Sequence, residues 1–140
     1  MDQNTSGKES GKRLRVLDSA SGLGKLVLEA CSQNPLRSHK SLADQMRRSS
    51  LSISSNLAEG LGRGTNRDCL NFLFIAKGSL QELEAQVDIA KGCGLFAESA
   101  CAEIRSLLKA TARDLGGLIY VRCKRLEADG AKPPRLRRRK

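Results

Sequence analysis

Residues 69–90 read CLNFLFIAKGSLQELEAQVDIA. Within them Cys69, Leu73, Ala76, Leu80, Leu83, Val87 and Ala90 recur at intervals of 4-3-4-3-4-3. A helix advances about 100° per residue, so those intervals return each side chain to one face. A half-buried strand would instead alternate apolar and polar residues. Phe72, Ile75 and Ile89 widen the apolar face. Upstream, Thr65-x-x-Asp68 has the pattern of a helix start, and Gly92 and Gly94 stop the run. The stretch predicts a long helix with one apolar seam, which must pack against other helices to be stable.

The same rhythm lies on either side. Downstream, Ala97, Cys101, Ile104, Leu108, Thr111, Leu115 and Leu118 form a seam in a helix from about Ala97 to Glu127. Gly116-Gly117 interrupts it and predicts a close backbone approach or a bend. Near the start, Val16, Ala20, Leu23, Val27 and Ala30 mark a helix from Arg13 to Cys31, weakened at Gly22 and Gly24 by about 1 kcal/mol each. Asn34-Pro35 ends it.

Between these lies Met46–Gly60, MRRSSLSISSNLAEG, rich in small polar residues. Leu42, Met46, Ile53 and Leu57 still share one face. Ser41-x-x-Asp44 has capping-box spacing, and Gly60, Gly62 and Gly64 supply a C-cap and loop. A second stripe runs beside the apolar one: Gln45, Ser49, Ser52, Asn56 and Glu59. Such hydroxyls bond to carbonyls or across an interface, and small side chains let helices approach closely. The stripe is expected to border a contact with a neighbouring subunit; an ordinary solvated face is the alternative.

Four such helices joined by short Gly/Pro links predict an all-α chain, an antiparallel up-down four-helix bundle over 13–128. Residues 1–12 are expected to be disordered, and 129–140 to form a disordered basic tail.

The net charge of +10 sits at the ends. Residues 1–15 hold four basic and two acidic groups, 122–140 hold nine and two, and 16–121 hold twelve and eleven. Concentrated charge of this sign points to a polyanion, RNA or DNA. Arg122, Lys124, Arg125, Lys132, Arg135, Arg137, Arg138, Arg139 and Lys140 are the candidate phosphate-binding residues. No aromatics interleave them, so the contact should be electrostatic and salt-dependent. The competing reading is a self-assembling bundle whose partner is another protein, with no direct nucleic-acid role and a merely solubilising tail. No apolar anchor or run of about 20 apolar residues suggests a membrane, and the N-terminus lacks the apolar stretch of a signal peptide. A cytoplasmic location is expected.

Catalysis finds little support. The serine tract lacks a G-x-S-x-G elbow, and Gly60–Thr65 lacks the lysine of a phosphate-binding loop, though Arg63 and Arg67 flank it. Glu59, Glu82, Glu84 and Asp88 lack the Glu-x-x-His pairs of a di-metal bundle. With five scattered cysteines and His39 as the single histidine, a zinc site is not expected. The chain reads as a non-enzyme without cofactor or metal.

Two motifs carry a resemblance. Leu42-Ala-Asp-Gln-Met-Arg-Arg-Ser-Ser with Ser52-Ile-Ser-Ser-Asn-Leu-Ala-Glu-Gly is the first; Asn71-Phe-Leu with Ile75-Ala-Lys-Gly-Ser-Leu-Gln-Glu-Leu-Glu, followed by Gly94-Leu95, is the second. Together, over about residues 36–96, they resemble the four-helix-bundle proteins encoded in intervening sequences of large-subunit ribosomal RNA genes. That family in turn resembles the accessory variability determinants of diversity-generating retroelements, which form homopentamers with basic surfaces and work with a reverse transcriptase and its RNA. The resemblance implies a pentameric, non-enzymatic bundle. Arg47 and Arg48 either meet phosphate or pair with Glu82 and Glu84; the joint occurrence of the two motifs favours pairing. The basic tail lies outside both motifs.

Overall fold

The computed structural model describes residues 3–134, with side chains from Ser6 onward. Four helices follow one another: α1 (Gln3–Cys31), α2 (Lys40–Leu61), α3 (Asn66–Gly92) and α4 (Glu98–Ala128), with one 3-10 turn at Leu36–Ser38. No strand occurs among the described residues. The seam of α1 is buried from Val16 to Ala30, and every seam residue of α3 from Cys69 to Ala90 is buried. In α4 the seam is buried from Cys101 to Leu118. It includes Thr111, whose hydroxyl donates to the Leu107 carbonyl at 2.7 Å and so is not left unpaired. Met46, Ile53 and Leu57 complete the core from α2, while Leu42 is half-buried.

Side-chain contacts set the helix directions. Between α1 and α2, Cys31 meets Ala43 and Arg13 meets Leu61. Between α2 and α3, Ser52 meets Ser79, and Gly60 lies against Phe72. Asp88 of α3 pairs with Arg105 of α4, and Glu9 of α1 pairs with Arg122 of α4. In the α1–α2 and α2–α3 pairs the contact descends one helix as it climbs the other. Gly22 against Leu107 continues the same order between α1 and α4. The arrangement is an up-down bundle in which each helix packs on the next and α4 closes on α1.

Several local expectations change. Residues 3–12 are helical, not disordered: α1 runs ahead of its core seam and is anchored there through Glu9. The capping box at Ser41 does not form, because α2 starts at Lys40 and Asp44 is engaged by Arg47. Thr65 does cap α3, its Oγ1 accepting from the Asp68 amide at 3.2 Å. Ile75 and Ile89 stand 51% and 56% exposed, off the core. The first residues of the tail are held too. Gly130, at φ +74°, closes α4; the Ala131 amide donates back to the Leu126 carbonyl at 2.8 Å, and Ala131 packs on the core.

Glycines divide by their surroundings. Gly60 is not a cap; it is buried within α2, where a Cβ would lie 2.8 Å from the Phe72 Cβ and 3.1 Å from the Cys69 carbonyl. Gly116 and Gly117 have open space where a Cβ would go, and α4 continues through them.

Candidate nucleic-acid interface

One pole of the bundle gathers the start of α1, the α2–α3 corner and the end of α4. Arg13 donates to the Leu61 carbonyl at 2.7 Å. Arg122 donates to Asn66 Oδ1 at 2.8 Å and to Glu9 Oε1 at 3.0 Å. Arg125 pairs with the other oxygen of Glu9. Arg67 donates to the Lys132 carbonyl at 3.0 Å, so the tail leaves from this pole. Across residues 3–15, 57–72 and 120–132, ten cations face five carboxylates. Across 16–56 and 73–119 the balance is ten against nine. The basicity that the sequence places at both termini is therefore one patch in space.

The cations of the patch divide into engaged and available groups. Arg122 and Arg125 were expected to face phosphate. Both are instead turned onto Glu9, whose side chain is 11% exposed, and Arg122 is 12% exposed. A buried carboxylate demands compensation, and two guanidinium groups supply it. Lys124 stays on the surface, bonded to Glu127 at 3.0 Å, with its ammonium 5.7 Å from the centre of the Tyr120 ring. Arg63 lies over the Phe72 ring and pairs with Glu59. Lys8, Arg15 and Lys132 are exposed. Arg135, Arg137, Arg138, Arg139 and Lys140 lie outside the described residues.

The other predicted groups are also placed. Arg47 bonds Asp44 at 2.9 Å and the Cys31 carbonyl at 3.0 Å, so its partners lie on α2 and α1 rather than on α3. The expected pairs of Arg47 and Arg48 with Glu82 and Glu84 do not form among the described residues. Glu82 and Glu84 are exposed, and Glu84 lines the groove between α3 and α4, away from α2. In the polar stripe Ser49 is buried, and Ser52 shares a 2.7 Å hydrogen bond with Ser79 of α3. Asn56 donates to the Ser52 carbonyl at 2.8 Å. The centre of the stripe thus joins α2 to α3 inside one bundle. Only Gln45 and Glu59 at its ends are exposed.

From residue 12 to residue 117 the chain matches the family model described as 23S rRNA-intervening sequence protein. The chain belongs to this family. The matched span covers about two thirds of α1, both middle helices and about two thirds of α4. Glu9, Arg122, Arg125 and the tail fall outside it, so the pole combines residues inside the matched span, such as Arg67, with residues beyond it. No curated protein matches the chain.

Sequence reasoning missed Glu9, Arg13 and Asn66 as parts of the pole. Glu9 sits in a Gly/Ser/Lys-rich stretch with no apolar period to announce a helix. Its one signal is an acid alone among cations.

The buried thiols, Cys31, Cys69 and Cys101, pack in the core. Burial pushes the Cys31 and Cys69 thiols up, with the charge of Arg47 opposing at Cys31 and that of Arg122 at Cys69. They stay protonated where an exposed thiol has begun to ionise. Cys93 is exposed. Under a mildly alkaline thiol reagent, Cys93 is expected to be modified first, and Cys31 and Cys69 only once the bundle unfolds. Peptide mapping by mass spectrometry reads the order.

Proposed function

We propose that the chain is a non-enzymatic, self-associating bundle that binds nucleic acid through its basic pole. The placement of charge carries this reading: cations outnumber carboxylates two to one at one pole and nearly balance them elsewhere. Residues 135–140 add five more cations to a tail that leaves from the same pole. A phosphate polymer is the partner such a concentration favours. Contact through the tail is with the phosphate backbone, since no aromatic side chain interleaves its cations to stack on bases. Self-association is supported by Leu51, Ile75 and Ile89, large apolar side chains exposed on α2 and α3. Five copies, and service to a reverse transcriptase and its structured RNA, are carried over from the resemblance to accessory variability determinants. Five tails on one particle multiply weak phosphate contacts through effective concentration.

The test is RNA binding by fluorescence anisotropy across a salt series, with native mass spectrometry on the same sample. The expected results are a log–log salt slope of magnitude about three or more, and masses at multiples of 15.2 kDa. Binding indifferent to salt, or none at low salt, overturns the nucleic-acid reading. A strict monomer overturns the assembly. Purification from the native host, with bound RNA and protein identified, tests the polymerase partner.

A further inference from the structure

The first three turns of α1 have almost nothing apolar to hold them. Among the described residues the first buried apolar one is Val16, and Leu14 is 63% exposed. Gly7 and Gly11 lie inside the helix and each lowers its intrinsic stability by about 1 kcal/mol. Among the described residues, the side-chain ion pairs and hydrogen bonds that tie 3–12 to another helix are those of Glu9 to Arg122 and Arg125. The seat is built for an anion. Two guanidinium groups converge on one carboxylate, and Asn66 orients Arg122 from the far side. One negative charge meets two positive ones, so the seat keeps a surplus positive charge. Guanidinium forks accept carboxylate and phosphate oxygens with the same geometry.

We propose that residues 3–12 are a displaceable strap, and that Glu9 occupies a phosphate seat formed by Arg122, Arg125 and Asn66 until a nucleic-acid phosphate takes its place. The inference rests on the nucleic-acid reading above and adds a regulation to it. With the strap closed, the chain binds through the tail and the surface lysines. With the strap open, two further arginines meet the backbone. Weak or short anions do not open it, whereas a polymer held by the tail presents phosphate at high local concentration.

The experiment compares the wild-type chain with Glu9→Gln and Asp129→Asn, using a labelled single-stranded RNA across a salt series. Each substitution removes one negative charge from the same pole, but only Glu9→Gln removes the charge that competes with phosphate for the seat. Glu9→Gln is expected to bind about ten-fold more tightly, with a salt slope steeper by about 1.4, since each of the two added phosphate contacts contributes about 0.7. Asp129→Asn should shift affinity less and leave the slope near the wild-type value. Equal shifts in the two variants overturn the strap while leaving the proposed function intact. No RNA binding by any of the three overturns both. Hydrogen exchange on the wild-type chain gives a reading independent of the variant's fold: amides of residues 3–12 should exchange faster with RNA bound. Unchanged or slower exchange there sinks the proposal.

Discussion

A chain ending at Pro134 will bind RNA about a hundred- to a thousand-fold more weakly than the full chain at moderate salt. The truncation removes Arg135, Arg137, Arg138, Arg139 and Lys140 and no contact described above. Arg67 keeps its bond to the Lys132 carbonyl, and Ala131 keeps its place on the core. Melting temperature should therefore hold while affinity falls. Each phosphate neutralised on a single strand contributes about 0.7 to the log–log salt slope, so the slope should shrink by about three. Anisotropy titrations of both chains at several salt concentrations measure the two quantities together. Equal affinities and slopes would reduce the tail to a solubilising appendage and leave binding to Lys8, Arg15 and Lys132.

Gly60→Ala will destabilise the bundle, and Gly116→Ala will stabilise it. Alanine is better than glycine in a helix by about 1 kcal/mol, which alone favours both changes. At position 60 that gain meets an obstacle. The new methyl would lie 2.8 Å from the Phe72 Cβ and 3.1 Å from the Cys69 carbonyl, and neither is the free end of a flexible side chain. α2 and α3 must separate, at an overpacking cost of about 1–3 kcal/mol. The net expectation is a loss of up to about 2 kcal/mol for Gly60→Ala, and a gain of about 0.5–1 kcal/mol for Gly116→Ala. Urea melts followed by circular dichroism distinguish the signs. A gain at position 60 would mean that the corner relaxes more easily than its contacts imply.

These two glycines show where sequence reading stops. Both lie within helices, and from the sequence the doublet at 116–117 looked the more constrained. Periodicity is local, so the seams through Val16–Ala30, Cys69–Ala90 and Cys101–Leu118 could be read directly. What approaches a glycine is set by another helix and leaves no mark beside it. The basic pole was half legible. Its charge could be counted from the sequence, but the convergence of both termini needed the topology. The engagement of Arg122 and Arg125 by Glu9 was invisible, because the partners lie at opposite ends of the chain and Glu9 sits outside any apolar pattern. Arg47 was misassigned for a related reason. Two motifs that occur together need not touch, and an aspartate three residues away was the nearer partner.

Cys93 closes α3 at the end of the bundle remote from the basic pole. The 31 residues of α4 span about 46 Å at 1.5 Å per residue. A fluorophore coupled to that thiol would ride far from any docked strand and leave the cationic surface untouched. The scaffold thus supplies its own handle for watching assembly and tumbling in solution.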